Sequence, residues 1–323
     1  MRLVCKIVLV SFLLMLLACT EKGVVRPDFV IQDAHSSGSL VAVDTMRPLA
    51  ASGGLEGTIS LWDLDNGKEL AAWHGHQGTV NGLAVSSRGK RVISAGWDGV
   101  VAAWNLDGKP LRRMNAGTPV TAMAAAPGLS RIWTGHSDGS LRLWNRDLEL
   151  LEERRLPVGK RITALALVRG GLAAAEQGGG VWLYAGPDSP SPRQLASLPA
   201  YIRSLVFRPD GRVLFGGSWF RLYRWDLDKG TMNVLDTPHK GIITGLDWSP
   251  AGGELMSISR QTDSSVLALD PDTGSARANF GKHDLCGASV AVTPDGRYLV
   301  TTSDDASVRI WHLDSSAQQS KPQ

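Results

Sequence analysis

Short segments with an apolar residue at every second position recur through most of the chain. Ile59 and Leu61 stand so in Thr58-Ile-Ser-Leu-Trp62, Leu141 and Leu143 in Ser140-Leu-Arg-Leu-Trp144, and Val308 and Ile310 in Ser307-Val-Arg-Ile-Trp311. A two-residue period gathers apolar side chains on one face of an extended strand, so these segments predict antiparallel strands with one face buried. Turn formers separate them. Arg208-Pro-Asp-Gly211, Ser249-Pro-Ala-Gly252 and Thr293-Pro-Asp-Gly296 combine a Pro that presets φ with a Gly that accepts positive φ. Glu56-Gly57, Asp98-Gly99 and Asp138-Gly139 are hairpin signals, and Asp65-Asn-Gly67 and Asp272-Thr-Gly274 mark further turns.

The pattern repeats as a unit. Its anchor residue falls at positions 62, 104, 144, 184, 225, 269 and 311, with spacings of 42, 40, 40, 41, 44 and 42. Val100-Val-Ala-Ala-Trp104 and Leu222-Tyr-Arg-Trp225 follow the same pattern, while Gly180-Val-Trp-Leu-Tyr184 and Ser265-Val-Leu-Ala-Leu269 are degenerate members. On these residues the chain resembles the WD-repeat family, whose units of about 40 to 45 residues each form one four-stranded blade. The resemblance implies an all-β fold, a seven-bladed WD-repeat β-propeller over residues 28–315.

It also implies a buried hydrogen-bonded set in each unit: a His after the fourth strand, a Ser or Thr on the second, an Asp at the hairpin and the Trp of the third. His76, Ser94, Asp98 and Trp104 match it, as do His283, Thr301, Asp305 and Trp311. The first unit carries His35, Ser52 and Trp62, with Glu56 in the place of Asp. The fourth and fifth units lack the set, having Ala174 and Gly178, then Phe215 and Trp219. A Ser-His-Asp triplet that recurs from unit to unit is structural, because a buried carboxylate is costly unless hydrogen-bonded.

A ring must close, since an open sheet edge invites pairing with other chains. The sequence after Trp311 is too polar for another strand, so Phe29-Val30-Ile31 is expected to supply the outer strand of the last blade.

The N-terminus reads as an address. Arg2 and Lys6 accompany an apolar run over residues 7–17, interrupted by Ser11 and too short to span a bilayer as a helix. It ends in Leu16-Leu17-Ala18-Cys19, which resembles the lipobox of bacterial lipoprotein precursors. That resemblance implies a signal peptide over residues 1–18 and lipidation of Cys19. Residues 19–27 would be a tether, and residues 316–323 a polar tail. Several acyl chains on one residue anchor stably where one is marginal. Thr20, where an Asp would favour inner-membrane retention, implies the periplasmic face of the outer membrane in the bacterial cell envelope. Cys286 is then the one free thiol, expected as a small buried residue.

Composition narrows function mostly by exclusion. With 34 basic and 31 acidic side chains the net charge is +3, and no basic cluster supports nucleic-acid binding. No haem-attachment, phosphate-loop or nucleophile-elbow motif is present, so no cofactor and no catalytic residue is expected. His74 and His76 share a strand face, but the buried set claims His76, leaving no metal site.

The family's frequent binding face carries the fourth-to-first strand loops and the second-to-third hairpins. Mapped onto this chain it holds Thr79, Pro119, Arg161, Tyr201, Ile242 and Cys286 near the inner strands, with Trp97, Trp219, Phe220 and Asp304 on the hairpins. Aromatic residues and Arg are the types enriched at interface hot spots. The expected function is a non-catalytic, lipid-anchored scaffold for another envelope protein. The alternative is an enzyme or small-ligand binder using the central channel, with Arg161, Tyr201 and Cys286 at its mouth.

Overall fold

A computed structural model describes residues 23–168, 171–186, 189 and 191–313. The signal segment, Cys19, Thr20 and the tail at 316–323 lie outside the described residues.

Seven four-stranded antiparallel sheets follow one another along the chain. Their first strands, Gly38–Val43, Val80–Ser86, Val120–Ala125, Ile162–Val168, Ser204–Phe207, Ile242–Ser249 and Gly287–Val292, each pack against the first strand of the next sheet, forming an inner ring. We number the blades in that order. Blades 1 to 6 are continuous in sequence, whereas blade 7 takes its outer strand from Phe29–Ile31, paired with Val308–His312 in the register Phe29 to Ile310 and Ile31 to Val308. The last blade and the N-terminus therefore clasp each other, and the ring has no open edge.

Burial follows radial position. The second strands are buried on both faces, as in Leu49–Gly54, Val213–Gly217 and Tyr298–Ser303, whereas outer strands such as Pro110–Asn115 are mostly exposed. The core is a series of apolar layers between neighbouring blades: Leu61, Val80, Val92 and Trp104 between blades 1 and 2, and Trp62, Tyr298, Val300 and Ile310 between blades 7 and 1. Blades approach closely there. A Cβ on Gly53 would stand 2.8 Å from the Val80 side chain, which is why small residues fill these strands.

The inner ring also has polar clamps at the β-bulges that open the inner strands. Ser39 donates to the Val80 carbonyl (2.8 Å), Asn81 to Val120 (2.9 Å), Thr121 to Ile162 (2.7 Å) and Thr244 to Gly287 (2.9 Å). Each clamp crosses to the next blade. The clamping is broken in blades 4 and 5, where the hydroxyl of Thr163 has no partner and Arg203 stands in the corresponding place, and in blade 7 at Ala288.

Candidate functional site

The polar set of blade 2 is a relay. Trp104 Nε1 donates to Ser94 Oγ (2.8 Å), Ser94 meets His76 Nε2 (2.7 Å), and His76 Nδ1 meets Asp98 (3.0 Å). With Nδ1 facing the carboxylate, this nitrogen carries the proton and Nε2 accepts from the serine. Burial holds His76 below its ordinary pKa despite Asp98. Burial would raise Asp98, but the Gln77 amide and His76 outweigh it. Ser94 is fully buried, so no substrate reaches its hydroxyl.

Other blades vary the theme. In blade 1, His35 bonds Ser52 (2.7 Å) and Thr58 (2.8 Å), while Glu56 lies 3.5 Å from His35 and reaches the set mainly through Thr58. In blade 7, His283 bonds Thr301 (2.8 Å) and Asp305 (2.9 Å). The expected fourth member departs: Trp311 Nε1 donates not to Thr301 but to the carbonyl of Val25 (3.1 Å), because the N-terminal segment crosses that blade.

Blade 6 holds a set that motif matching missed. His239 Nε2 lies 2.8 Å from Ser257, with Ser265 at 2.9 Å and Asp263 at 3.4 Å from Nδ1. Its His and Ser are eighteen residues apart, as in blades 2 and 7, so spacing could have revealed it although Leu269 replaces the Trp. In blade 3 the imidazole comes from His136, on the same strand as its partner Thr134 (2.9 Å), and Trp144 donates to that Thr134 (2.9 Å). In blade 4 Trp182 donates to Glu176 (2.9 Å). In blade 5 Phe215 offers no acceptor and Trp225 Nε1 has none.

The two ends of the ring differ. Leu55, Trp97, Val158, Trp219, Phe220 and Leu285 are exposed on the fourth-to-first loops and second-to-third hairpins. On the opposite turns Met46 is the one exposed large apolar residue among the described residues. Trp97 is 46% exposed, Trp219 40% and Phe220 48%. Trp219 and Phe220 lie together with centroids 5.7 Å apart. Phe220 has φ of 59°, a left-handed conformation that costs a bulky residue about 1–3 kcal/mol.

The remaining candidates sort differently. Arg161 and Tyr201 are half-buried at the inner rim. Asp304 is not free for a partner: it pairs with Arg260 of blade 6 and accepts from Ser37 of blade 1 at 3.1 Å, joining three blades. Ile242 is buried and leaves the face. Cys286, expected to be buried, is half-exposed, and the guanidinium of Arg260 meets its sulfur. Among the described residues no group of three or more His, Cys, Asp or Glu is placed to hold a metal ion, and no helix is long and apolar enough to cross a membrane. A cavity of about 420 Å³ lies near the opposite end, lined by Trp133, Arg154, Tyr184 and Phe207.

Comparison with known proteins agrees with this architecture. The family described as WD domain, G-beta repeat matches residues 67–105 and 279–312. The chain is 31% identical over 114 residues to the rice (Oryza sativa subsp. japonica) small ribosomal subunit protein RACK1y, covering 35% of this chain and 33% of that protein. It is 23% identical over 327 residues to the DDB1- and CUL4-associated factor 13 of Xenopus laevis, covering 92% of this chain and 69% of that protein. Against rat striatin-3 it is 22% identical, over 90% of this chain and 36% of that protein. The chain thus spans about a third of two of these relatives. With the two matched repeats, the seven four-stranded blades and their recurring buried sets, the chain is a WD-repeat β-propeller.

Proposed function

We propose that this propeller is a non-catalytic scaffold of the bacterial cell envelope, held to the membrane by lipid on Cys19, which docks another envelope protein on the loop-and-hairpin face. The carrying observation is the asymmetry between the two ends of the ring among the described residues: six exposed large apolar residues on one and Met46 alone on the other. Exposed apolar groups gathered on one face are the usual sign of a binding surface. A rigid propeller face also recognises a partner without the cost of ordering loops. The buried hydroxyls of Ser52, Ser94, Ser257 and Thr301 are consumed by structural imidazoles, which supports a non-catalytic reading. The relatives named as a ribosomal subunit protein and as an associated factor are consistent with a role in assemblies.

The experiment is mild crosslinking in cells followed by capture of the detergent-extracted protein, with Trp97→Ala/Trp219→Ala/Phe220→Ala as control. A stoichiometric protein lost in the control supports the scaffold, and an empty capture from folded protein overturns it. Labelling with a palmitate analogue, lost in Cys19→Ser together with membrane fractionation, tests the anchor separately.

A further inference from the structure

The break in the clamp ring leaves donors without acceptors. Among the described residues Arg161 Nε, Arg203 Nε and Thr163 Oγ1 are enclosed by protein yet have no hydrogen-bond partner. Arg161 directly precedes the inner strand Ile162–Val168 of blade 4, and Arg203 directly precedes Ser204–Phe207 of blade 5. The three therefore stand at one end of the channel, on adjacent inner strands. Arg203 lies over the Tyr201 ring at 5.0 Å, which holds its guanidinium in place. The buried carboxylate in this blade, Glu176, is taken by Trp182 (2.9 Å) and the Lys160 amide (3.4 Å).

Charge on the same face points the same way. The carboxylates of its loops and hairpins are engaged: Glu56 with His35, Asp98 with His76, Asp138 with Arg155, Asp263 with His239, Asp284 and Asp305 with Arg309, and Asp304 with Arg260. Among the described residues no ion pair to a carboxylate is found for Lys160, Arg161, Arg203 or Lys240, which all belong to blades 4 to 6. Burial keeps His35 and His76 below their ordinary pKa, so Glu56 and Asp98 keep their charge there, and the unpaired cations are a local feature of blades 4 to 6 rather than an excess over the whole face. A buried guanidinium nitrogen without an acceptor is unfavourable, and a carboxylate is the acceptor it suits best.

We infer that the channel mouth between blades 4 and 5 is a carboxylate-binding site that receives an acidic segment of the docked protein, gripped by the guanidinium groups of Arg161 and Arg203. The inference rests on the docking face proposed above. It is tested apart from it with purified protein and a hexaglutamate peptide, by calorimetry at low and at physiological salt. Saturable binding that weakens with salt is expected. Affinity should fall at least tenfold in Arg161→Gln/Arg203→Gln, fall less in Arg161→Lys/Arg203→Lys, and stay unchanged in Arg88→Gln/Lys90→Gln on the opposite turns. Failure to bind, or equal binding by the glutamine variant with an unaltered thermal midpoint, overturns the site. Inorganic phosphate displacing the peptide at equal concentration overturns the peptide assignment, marking a site for a free anion. A partner captured in cells together with any of these failures would leave the scaffold standing and remove only the acidic grip.

Discussion

Trp311 donates its indole N–H to the carbonyl of Val25, 3.1 Å away and 286 residues earlier in the chain. In blades 1, 2 and 3 the equivalent indole donates to a Ser or Thr of its own blade, so closure re-routes the bond. The N-terminal segment contributes more than backbone pairing: Asp28 accepts from the His312 amide (2.8 Å), and the Phe29 ring meets that of His312 at 5.8 Å.

Deleting residues 27–34 should therefore open the ring. It removes the outer strand of blade 7 and exposes the layer of Tyr298, Val300 and Ile310. A loss of about 3 kcal/mol corresponds to a thermal midpoint lower by roughly 6–12 °C in a domain of this order of size. Calorimetry of the truncated protein checks this, and an unchanged midpoint would contradict the clasp.

Within the blades, Ser94→Ala should cost more than Ser257→Ala. Ser94 satisfies both the Trp104 indole and His76, so alanine strands two buried groups at about 1–3 kcal/mol each. Ser257 serves His239 and the Leu267 carbonyl, with no indole dependent on it. Urea unfolding of the two variants gives the comparison, and equal losses would refute the relay.

Acid should weaken the fold through His136 and relieve it through Asp247. Burial, then the nearby Arg142, lowers His136 to about 4. The unfolded chain then takes up the proton first, so this stability is intact above pH 6.5 and lost as pH falls toward 4, on the order of 3 kcal/mol. Asp247 is raised by burial to about 6, although the Val292 and Trp248 amides oppose the shift. Here the folded state binds the proton more tightly, so stability is gained as pH falls through 6. Relative to wild type, Asp247→Asn should gain most at pH 8 and least at pH 4.5, and His136→Gln should flatten the acid limb. Unfolding curves across that range decide both.

Phe220 sets contact against stability. Its φ of 59° suits glycine, so Phe220→Gly should raise the thermal midpoint by a few degrees while weakening partner capture. A variant that loses stability would mean that the ring is part of the core.

The hairpin carrying Asp98 shows how tightly the sets are packed. A Cβ on Gly96 would stand 2.5 Å from His76 Nδ1, so Gly96→Ala should cost at least 2 kcal/mol by displacing the imidazole. Blade 3 carries His136 itself at the matching position, with Ala116 where the imidazole would otherwise originate, and Ala116→Gly should be mild there. Paired unfolding measurements of the two variants test the contrast.

The sequence by itself determined the number of blades, because turn chemistry and the anchor residues at 62, 104, 144, 184, 225, 269 and 311 are local and repeat in register. It also pointed to the closing strand, since a ring with a polar C-terminus needs an outer strand from elsewhere. Trp97, Trp219 and Phe220 were legible as hairpin-tip residues, but their exposure was not, because whether a ring folds back over the blade edge depends on how its hairpin meets the neighbouring blades. Tertiary structure decided what depends on partners in other blades. Nothing local distinguishes Asp304, bound to Arg260 and Ser37, from a free contact residue. Nor could the chain around Arg161 and Arg203 show that their guanidinium nitrogens would be enclosed without an acceptor, because that follows from how blades 4 and 5 meet. Backbone period is set by short-range sterics and alternation, whereas the pairing of charges is settled only when distant residues are brought side by side.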